Sequence, residues 1–243
     1  MLEGPDLVES ALASGAEFEA LYVDAAQVDR RDIARLLEVA HASGVRIFSL
    51  EPGVIERVAD AQTPQPVLAS VRFDVPEVTS LEVSGLVVVV HDLRDPGNAG
   101  TIIRSADAAG VASVVFTGHS VDPFNPKTLR ASAGSIFHLP VAVGRIEETI
   151  QHFSRGGAQV VASVVSGGTS HRDVDFTKAT VVVVGNEAQG LDAGTIALCD
   201  SSVTISIAGA SESLNAGVAA SLIAFEAMWQ RQDSSIAPSP PSL

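Results

Sequence analysis

The chain has a single cysteine, Cys199, so no intrachain disulfide holds it together. Aromatic residues are scarce, at 5% with one Trp and one Tyr, which leaves aliphatic side chains to build the core. The longest purely aliphatic runs, Leu86 to Val90 and Val181 to Val184, fall far short of the roughly 20 residues a membrane helix needs, so no membrane contact is expected. Residues Met1 to Asp6 carry neither the basic segment nor the apolar stretch of a signal peptide, and a cytoplasmic protein is expected. Positive charge is also short. Fifteen Lys plus Arg face 29 Asp plus Glu, a net charge of −14, which excludes gripping nucleic acid by bulk electrostatics and confines any RNA contact to a local patch.

The usual chemical signatures are missing too. There is no G-x-G-x-x-G after a strand, no Walker phosphate loop, no H-E-x-x-H, no C-x-x-C and no G-x-S-x-G. Gly185 to Gly190 has the outer spacing of a phosphate loop but lacks the Lys and the hydroxyl that would meet the phosphates and a metal. The six His residues, at 41, 91, 119, 138, 152 and 171, stand without ligand spacing, and no metal site is expected.

What is present is a chain of 243 residues, 46% hydrophobic, with strong α/β alternation. Leu7, Val8, Ala11 and Leu12 have helical spacing, Ala20 to Val23 reads as extended, and Asp32 to Ser43 places Ile33, Leu36, Leu37 and Ala40 on one helical face before Gly44. Val45 to Leu50 is the next expected strand. Acidic residues outnumber basic ones in this part, and Val75-Pro76-Glu77-Val78-Thr79-Ser80 marks a domain boundary near residue 80. Beyond it, Leu86 to Val90 is a continuous aliphatic strand of the kind buried on both faces of a parallel sheet. Similar strands are expected at Ala112 to Thr117, Gln159 to Val165, Val181 to Gly185 and Val203 to Ile207, with helices in most of the gaps. A last helix over about Leu214 to Gln232 places Val218, Leu222, Phe225 and Trp229 on one stripe. The expected domains are 1–80 and 81–233, with a Pro- and Ser-containing tail, 234–243, expected to be disordered.

Three of these strands end in polar, Gly-containing turns, and the carboxyl ends of strands in an open α/β sheet are where ligands bind. In the first turn, His91 to Arg104, Asn98 is the expected N-cap, and Ile102, Ala106 and Ala109 form the buried stripe. That leaves Arg104 near the helix start, where the helix dipole does not favour a cation. It is either a functional residue or a solvated Arg paired with Asp107. In the second, Val184 to Leu191, two glycines flank Asn186, Glu187 and Gln189, which suits either close backbone approach to a ligand or a plain strand-turn-helix link. In the third, Ile205 to Ala220, polar Ser211, Ser213 and Asn215 precede a helix whose first turns are almost all small. Capping by Ser213 or Asn215 explains the polar residues but not the small ones, and Gly217 costs about 1 kcal/mol of helix propensity relative to Ala.

In this order and spacing the three segments resemble the three motifs of the SpoU/TrmH family of the SPOUT superfamily, RNA ribose 2′-O-methyltransferases that use S-adenosylmethionine. Asn98 and Arg104 fall on the first motif's Asn and catalytic Arg. Gly185, Asn186, Glu187, Gly190 and Leu191 fall on the second motif, and Glu212, Ser213, Leu214 and Asn215 on the third. Ser206 stands where a Pro is frequent and Gly217 where a Ser is. Residues Asn125 to Gly134 resemble a stretch found in members that act on ribosomal RNA, including the thiostrepton-resistance type. Residues 1–75 are similar to the L30e-like substrate-binding domain of these enzymes, with Thr63 to Ala69 on its closing segment. Relatives commonly carry a further, often basic, extension ahead of this start.

The resemblance implies an α/β fold with a parallel sheet and a C-terminal trefoil knot, preceded by that small α/β domain, in a homodimer joined through the knotted part. It implies catalysis by Arg104 with Asn98, Glu187, Ser213 and Asn215, and S-adenosylmethionine binding by Val184, Gly185, Asn186, Gly190, Ile205, Ile207, Ser213 and Leu214. RNA contacts by Lys127 and Arg130 follow from it, with ribosomal RNA as the expected substrate. A tRNA ribose methyltransferase, or a non-catalytic RNA-binding or ribosome-assembly protein of the same fold, is the alternative. Intact Asn98, Arg104, Glu187 and Asn215 favour an enzyme.

Overall fold

The computed structural model describes residues 1–58 and 64–236. Its first part is built from β1 (Leu2–Glu3), α1 (Pro5–Ala13), β2 (Glu17–Asp24), α2 (Arg31–Ala42), β3 (Ile47–Leu50), α3 (Ile55–Val58) and β4 (Val67–Arg72). The strands form a sheet in the order β1-β4-β2-β3, in which β4 runs antiparallel to β1 and β2, and β2 runs parallel to β3. Helical periodicity puts Leu7, Val8 and Ala11 of α1 and Ile33, Leu36 and Ala40 of α2 in one core with Leu21, Val23, Val67 and Ala69 of the sheet. On β2 and β3, Tyr22 and Phe48 stack with ring centroids 5.6 Å apart, and Phe48 remains 46% exposed. Thr63, within the expected closing segment, lies outside the described residues.

The second part comprises β5 (Leu86–His91), α4 (Pro96–Ala108), β6 (Ser113–Thr117), α5 (Pro126–Ser132), β7 (Val141–Gly144), α6 (Ile146–Arg155), β8 (Gln159–Ser163), β9 (Thr169–Ser170), β10 (Thr180–Val184), α7 (Ala193–Ala197), β11 (Ser201–Thr204) and α8 (Ala216–Ile236). Its seven strands lie in the order β7-β6-β5-β10-β8-β11-β9, with every pairing parallel. The aliphatic runs follow from burial on both faces. Val88, Val90, Val182 and Val184 share a core with Ile102, Ile103 and Ala106 of α4 and Ile223 and Ala224 of α8. Val87, Val89, Val181 and Val183 share another with Ile146, Ile150 and Phe153 of α6.

The chain winds outward from β5 through β6 to β7, while β10 lies on the other side of β5, so the strand order switches direction between β5 and β10. Val90 pairs with Val184 at the carboxyl ends of these two strands, and the loops that follow them must meet.

The two parts are tied together. Glu3, 7% exposed, accepts a hydrogen bond from Arg130 Nη1 of α5 at 2.8 Å and one from Gln65 N–H at 3.2 Å. Phe73, just after β4, packs against Phe124 and Phe137 at centroid distances of 4.6 and 5.4 Å.

Three expectations need correction. The last helix begins at Ala216 and continues through Asp233 to Ile236, where disorder was expected to have begun; residues 237–243 lie outside the described part. The stripe of Val218, Leu222, Phe225 and Trp229 is not the buried face: Val218, Leu222 and Trp229 are exposed and Phe225 is half-buried. Ala216, Ala220, Ile223, Ala224 and Ala227 face the core instead, because small side chains let α8 lie close against α4. A Cβ on Gly217 would sit 3.2 Å from Thr101 Cγ2, and Ser221 Oγ lies 2.7 Å from Ser105 Oγ across the same seam. Finally, β11 ends at Thr204, so Ile205 and Ile207 belong to the loop that follows rather than to the strand.

Candidate active site

The loop after β5 turns sharply at Asp92, a non-Gly residue with φ of 56°, whose Oδ1 accepts the His119 N–H at 2.6 Å. Asp95, not Asn98, is the N-cap of α4: its carboxylate accepts the Asn98 N–H at 2.7 Å. Pro96, with no N–H and a fixed φ, occupies the first helical position, which moves the cap to the residue before it. The Asn98 amide is thereby free for long-range contacts. Its Nδ2 donates to Glu187 Oε1 at 2.9 Å, and its Oδ1 accepts from Asn215 Nδ2 at 2.8 Å. Asn215 Oδ1 in turn accepts the Val218 N–H at 3.2 Å, so Asn215 both caps α8 and joins the third segment to the first.

After β10 the chain forms a narrow turn in which Asn186 and Gly190 exchange backbone hydrogen bonds of 3.2 and 2.9 Å. A Cβ on Gly185 would lie 2.4 Å from the Gly190 carbonyl carbon, closer than any side chain allows, so only glycine fits there. Asn186 Nδ2 donates to the Asp92 carbonyl at 2.9 Å, while its Oδ1 accepts from Ala188 N–H and Gln189 N–H. A plain strand-turn-helix link would need only Asp192, which caps α7 through Gly194 and Thr195. It would not need Asn186 and Glu187 bonded across to the first loop.

Glu187 receives the Asn98 amide, the Asp95 N–H at 3.3 Å and, more weakly, the Arg94 N–H at 3.5 Å. Partial burial alone would raise its pKa, but the hydrogen bonds from Asn98 and the backbone outweigh that and hold the carboxyl below its usual range.

All eight residues expected at the cofactor, Val184, Gly185, Asn186, Gly190, Ile205, Ile207, Ser213 and Leu214, line one pocket, together with Glu187. Ser163, the last residue of β8, and Val164 and Val165 just past it also line the pocket. Sequence reasoning missed these three, because nothing local to them reveals that β8 lies beside β10. The walls combine apolar side chains with exposed backbone at a glycine turn, a donor set that suits a nucleoside bearing a compact charged group. Among the described residues no group of three or more His, Cys, Asp or Glu is arranged to hold a metal.

Arg104 is exposed and makes no ion pair or hydrogen bond among the described residues. The alternative pairing with Asp107 does not form, since Asp107 Oδ2 lies 2.8 Å from His138 Nδ1. Ser213 is exposed and lines the pocket, its carbonyl accepting from Ser211 Oγ. Lys127, in the first turn of α5, is also exposed and without an ion pair. Arg130 differs: its guanidinium is held by buried Glu3 at 2.8 Å, and it ties the two parts of the molecule instead of offering a free charge to RNA.

Residues 85–225 match the model of the SpoU rRNA Methylase family. The chain belongs to that family. Residues 1–69 match the MRM3-like substrate binding domain. Over 93% of its length the chain is 32% identical to the 23S rRNA (guanosine(2553)-2′-O)-methyltransferase RlmP of Bacillus subtilis, covering 86% of that protein. It resembles the SpoU methyltransferase AviRb from Streptomyces viridochromogenes in complex with AdoMet, with a TM-score of 0.85 and 29% identity over 95% of this chain and 89% of that one. The AdoMet-bound rRNA methyltransferase from Sinorhizobium meliloti gives a TM-score of 0.82 and 30% identity, covering 97% and 87% of the two chains. In this SpoU protein the three motifs lie far apart in sequence, Asn98 being 89 residues from Glu187 and 117 from Asn215, yet they close into one hydrogen-bonded chain beside the pocket.

Proposed function

We propose that this SpoU methylase transfers a methyl group from S-adenosylmethionine to a ribose 2′-hydroxyl of ribosomal RNA. The observation that carries the proposal is the hydrogen-bonded chain Asn215–Asn98–Glu187 at the pocket, with the guanidinium of Arg104 left without a protein partner on the same helix as Asn98. When bound, the cofactor supplies an electrophilic methyl on a sulfonium, so the ribose oxygen would gain a bond to carbon as the sulfur–carbon bond breaks and the hydroxyl proton passes to solvent water. The protein has to align the hydroxyl and help that proton leave.

A guanidinium offers donors and no acceptor, so Arg104 is assigned to polarising the hydroxyl and holding the adjacent phosphate rather than to the role of a base. Glu187 fixes the Asn98 amide, and Asn215 fixes it from the other side. Ser213, with its hydroxyl at the pocket, is assigned to orienting the ribose.

Residues 1–80 act as the RNA-binding part and 81–233 as the transferase part, with Lys127 as a phosphate contact on the latter. The joint lining of one pocket by residues 184–190 and 205–216 supports the trefoil knot. The outward row of Val218, Leu222 and Trp229 on α8 supports a homodimer that covers it. No helix of the described residues is long and apolar enough to cross a membrane, in keeping with the proposed cytoplasmic location.

Incubating the protein with labelled S-adenosylmethionine and unmodified ribosomal RNA, then mapping the modified nucleotide, tests the proposal. A single 2′-O-methylated position is expected. Binding of the cofactor without transfer to any RNA would overturn it. Light scattering at micromolar concentration is expected to give the mass of two chains.

A further inference from the structure

Resting on the methyl-transfer reading, the geometry points to Arg94 as a further RNA-contacting residue: we propose that its guanidinium holds a backbone phosphate flanking the target nucleotide at the rim of the pocket. The loops after β5 and β10 carry three carboxylates, Asp92, Asp95 and Glu187, exposed or only partly buried, at the place where a polyanion has to approach. Each is committed to the protein. Asp92 binds the His119 N–H, Asp95 caps α4, and Glu187 holds Asn98 and two backbone amides. An uncompensated cluster of this sign repels phosphate, and the chain as a whole, at −14, offers no general attraction to offset it.

About half of the other cations are spent within the protein. Arg30 pairs with Asp32, Arg72 with Glu17 and Glu19, Arg130 with Glu3, Arg145 with Glu147 and Glu148, and Lys178 with Asp175. Arg231 donates to the carbonyls of Phe176 and Lys178. Arg94 is different. It is exposed, it stands between Asp92 and Asp95, and its own N–H reaches Glu187, yet its side chain makes no ion pair or hydrogen bond among the described residues.

The left-handed turn at Asp92 sets the loop's path, and the Glu187 carboxylate pins the backbone of Arg94 and Asp95. Arg94 is therefore a free, planar, bidentate donor on a fixed backbone at the edge of the catalytic cluster, the arrangement that favours phosphate over a freely moving point charge. Arg104 is assigned to the reacting hydroxyl and Arg94 to binding; the two roles separate kinetically.

The test uses the full chain and unmodified ribosomal RNA transcribed in vitro, with direct RNA binding measured as a function of salt, steady-state methylation, and calorimetry with S-adenosylmethionine. Arg94→Ala is expected to weaken RNA binding by roughly five- to tenfold near 0.1 M salt and to lower the slope of log affinity against log salt by about one. The KM for RNA should rise in parallel while kcat and cofactor affinity stay within about twofold. Arg94→Lys should keep the slope, because it keeps the charge, while recovering only part of the affinity. Arg155→Ala, at the end of α6 on the other face of the sheet, should change neither quantity.

An unchanged slope and KM in Arg94→Ala would overturn the proposal. So would a fall in kcat at constant KM, or weaker cofactor binding, since either would make Arg94 something other than a phosphate contact. Wild-type protein that binds the RNA without methylating it would overturn the enzymatic reading and leave the salt slopes to decide on Arg94. Wild-type protein that does not bind RNA at all would overturn both.

Discussion

The seven-stranded sheet is buried on both faces, between α4 and α8 on one side and α6 on the other, whereas the four-stranded sheet packs α1 and α2 on one face and leaves Phe48 and part of Tyr22 uncovered on the other. A strand buried on both faces is strongly held in register, which fixes where the loops at its end begin; β5 and β10 supply such ends. A sheet with one open face instead offers area to a partner. This difference suits the proposed division, with chemistry on the first sheet and RNA recognition on the second. It also gives the tie between them, Glu3 with Arg130 and Phe73 with Phe124 and Phe137, the task of keeping the two in register.

Substitutions that attack each side of this comparison should differ in size. The largest effect is expected at Gly185, where Gly185→Val drives a side chain into the Gly190 backbone and should weaken S-adenosylmethionine binding by about a hundredfold or more by calorimetry. Next comes Arg104→Ala, which should leave cofactor binding nearly intact and lower single-turnover methylation by at least about a hundredfold. Arg104→Lys should not restore it, because a point charge does not bridge a hydroxyl and a phosphate as a planar fork does. Near-normal rates in the Ala variant would remove Arg104 from the chemistry.

Cutting the tie should cost less. Glu3→Ala leaves Arg130 without its partner and is expected to lower stability by about 2 kcal/mol in urea unfolding, less than a fully buried pair because Arg130 is 29% exposed. The open sheet face should tolerate most: Phe48→Ser is expected to cost under about 1 kcal/mol while weakening RNA binding, and an unchanged RNA affinity would deny that face its role in recognition. Smallest of all is Cys199, whose thiol is pushed up to about 11 by burial and by the nearby Asp200 charge. Since the thiolate is the reactive form and the pKa is raised, alkylation of the folded protein should stay slow at pH 8 and accelerate only as the pH climbs toward 11. Fast labelling at pH 8 would show that the site opens.

Much of this is legible in the sequence. The runs Leu86 to Val90 and Val181 to Val184 announced doubly buried strands because no other element needs unbroken aliphatics of that length. The glycines and polar residues at three strand ends announced the pocket, and Gly185 and Gly190 proved to be where backbone meets backbone. Pattern misled where two faces of one element are both apolar. In α8 the large residues drew attention to Val218, Leu222 and Trp229, while the packed face is the alanine-rich one. Asn98 was misread as a cap because Asp95 and Pro96, which do that work, are a few residues earlier in the same loop. Arg130 looked free in sequence because its partner, Glu3, is 127 residues away.

By itself the sequence determined the element types, the aliphatic layers and the residues able to do chemistry, since each of these depends on side chains within a turn or a strand of one another. Only the tertiary structure decided which strands are neighbours. The adjacency of β5 and β10 brings Glu187 within hydrogen-bond reach of Asn98, packing of the loop before α8 adds Asn215, and the neighbouring β8 puts Val164 and Val165 in the same pocket as Leu214. It also decided which charges are free. An Arg and a Glu far apart in the chain carry no local record of whether they will meet, so Arg94 and Arg104 are told apart from Arg130 by packing alone.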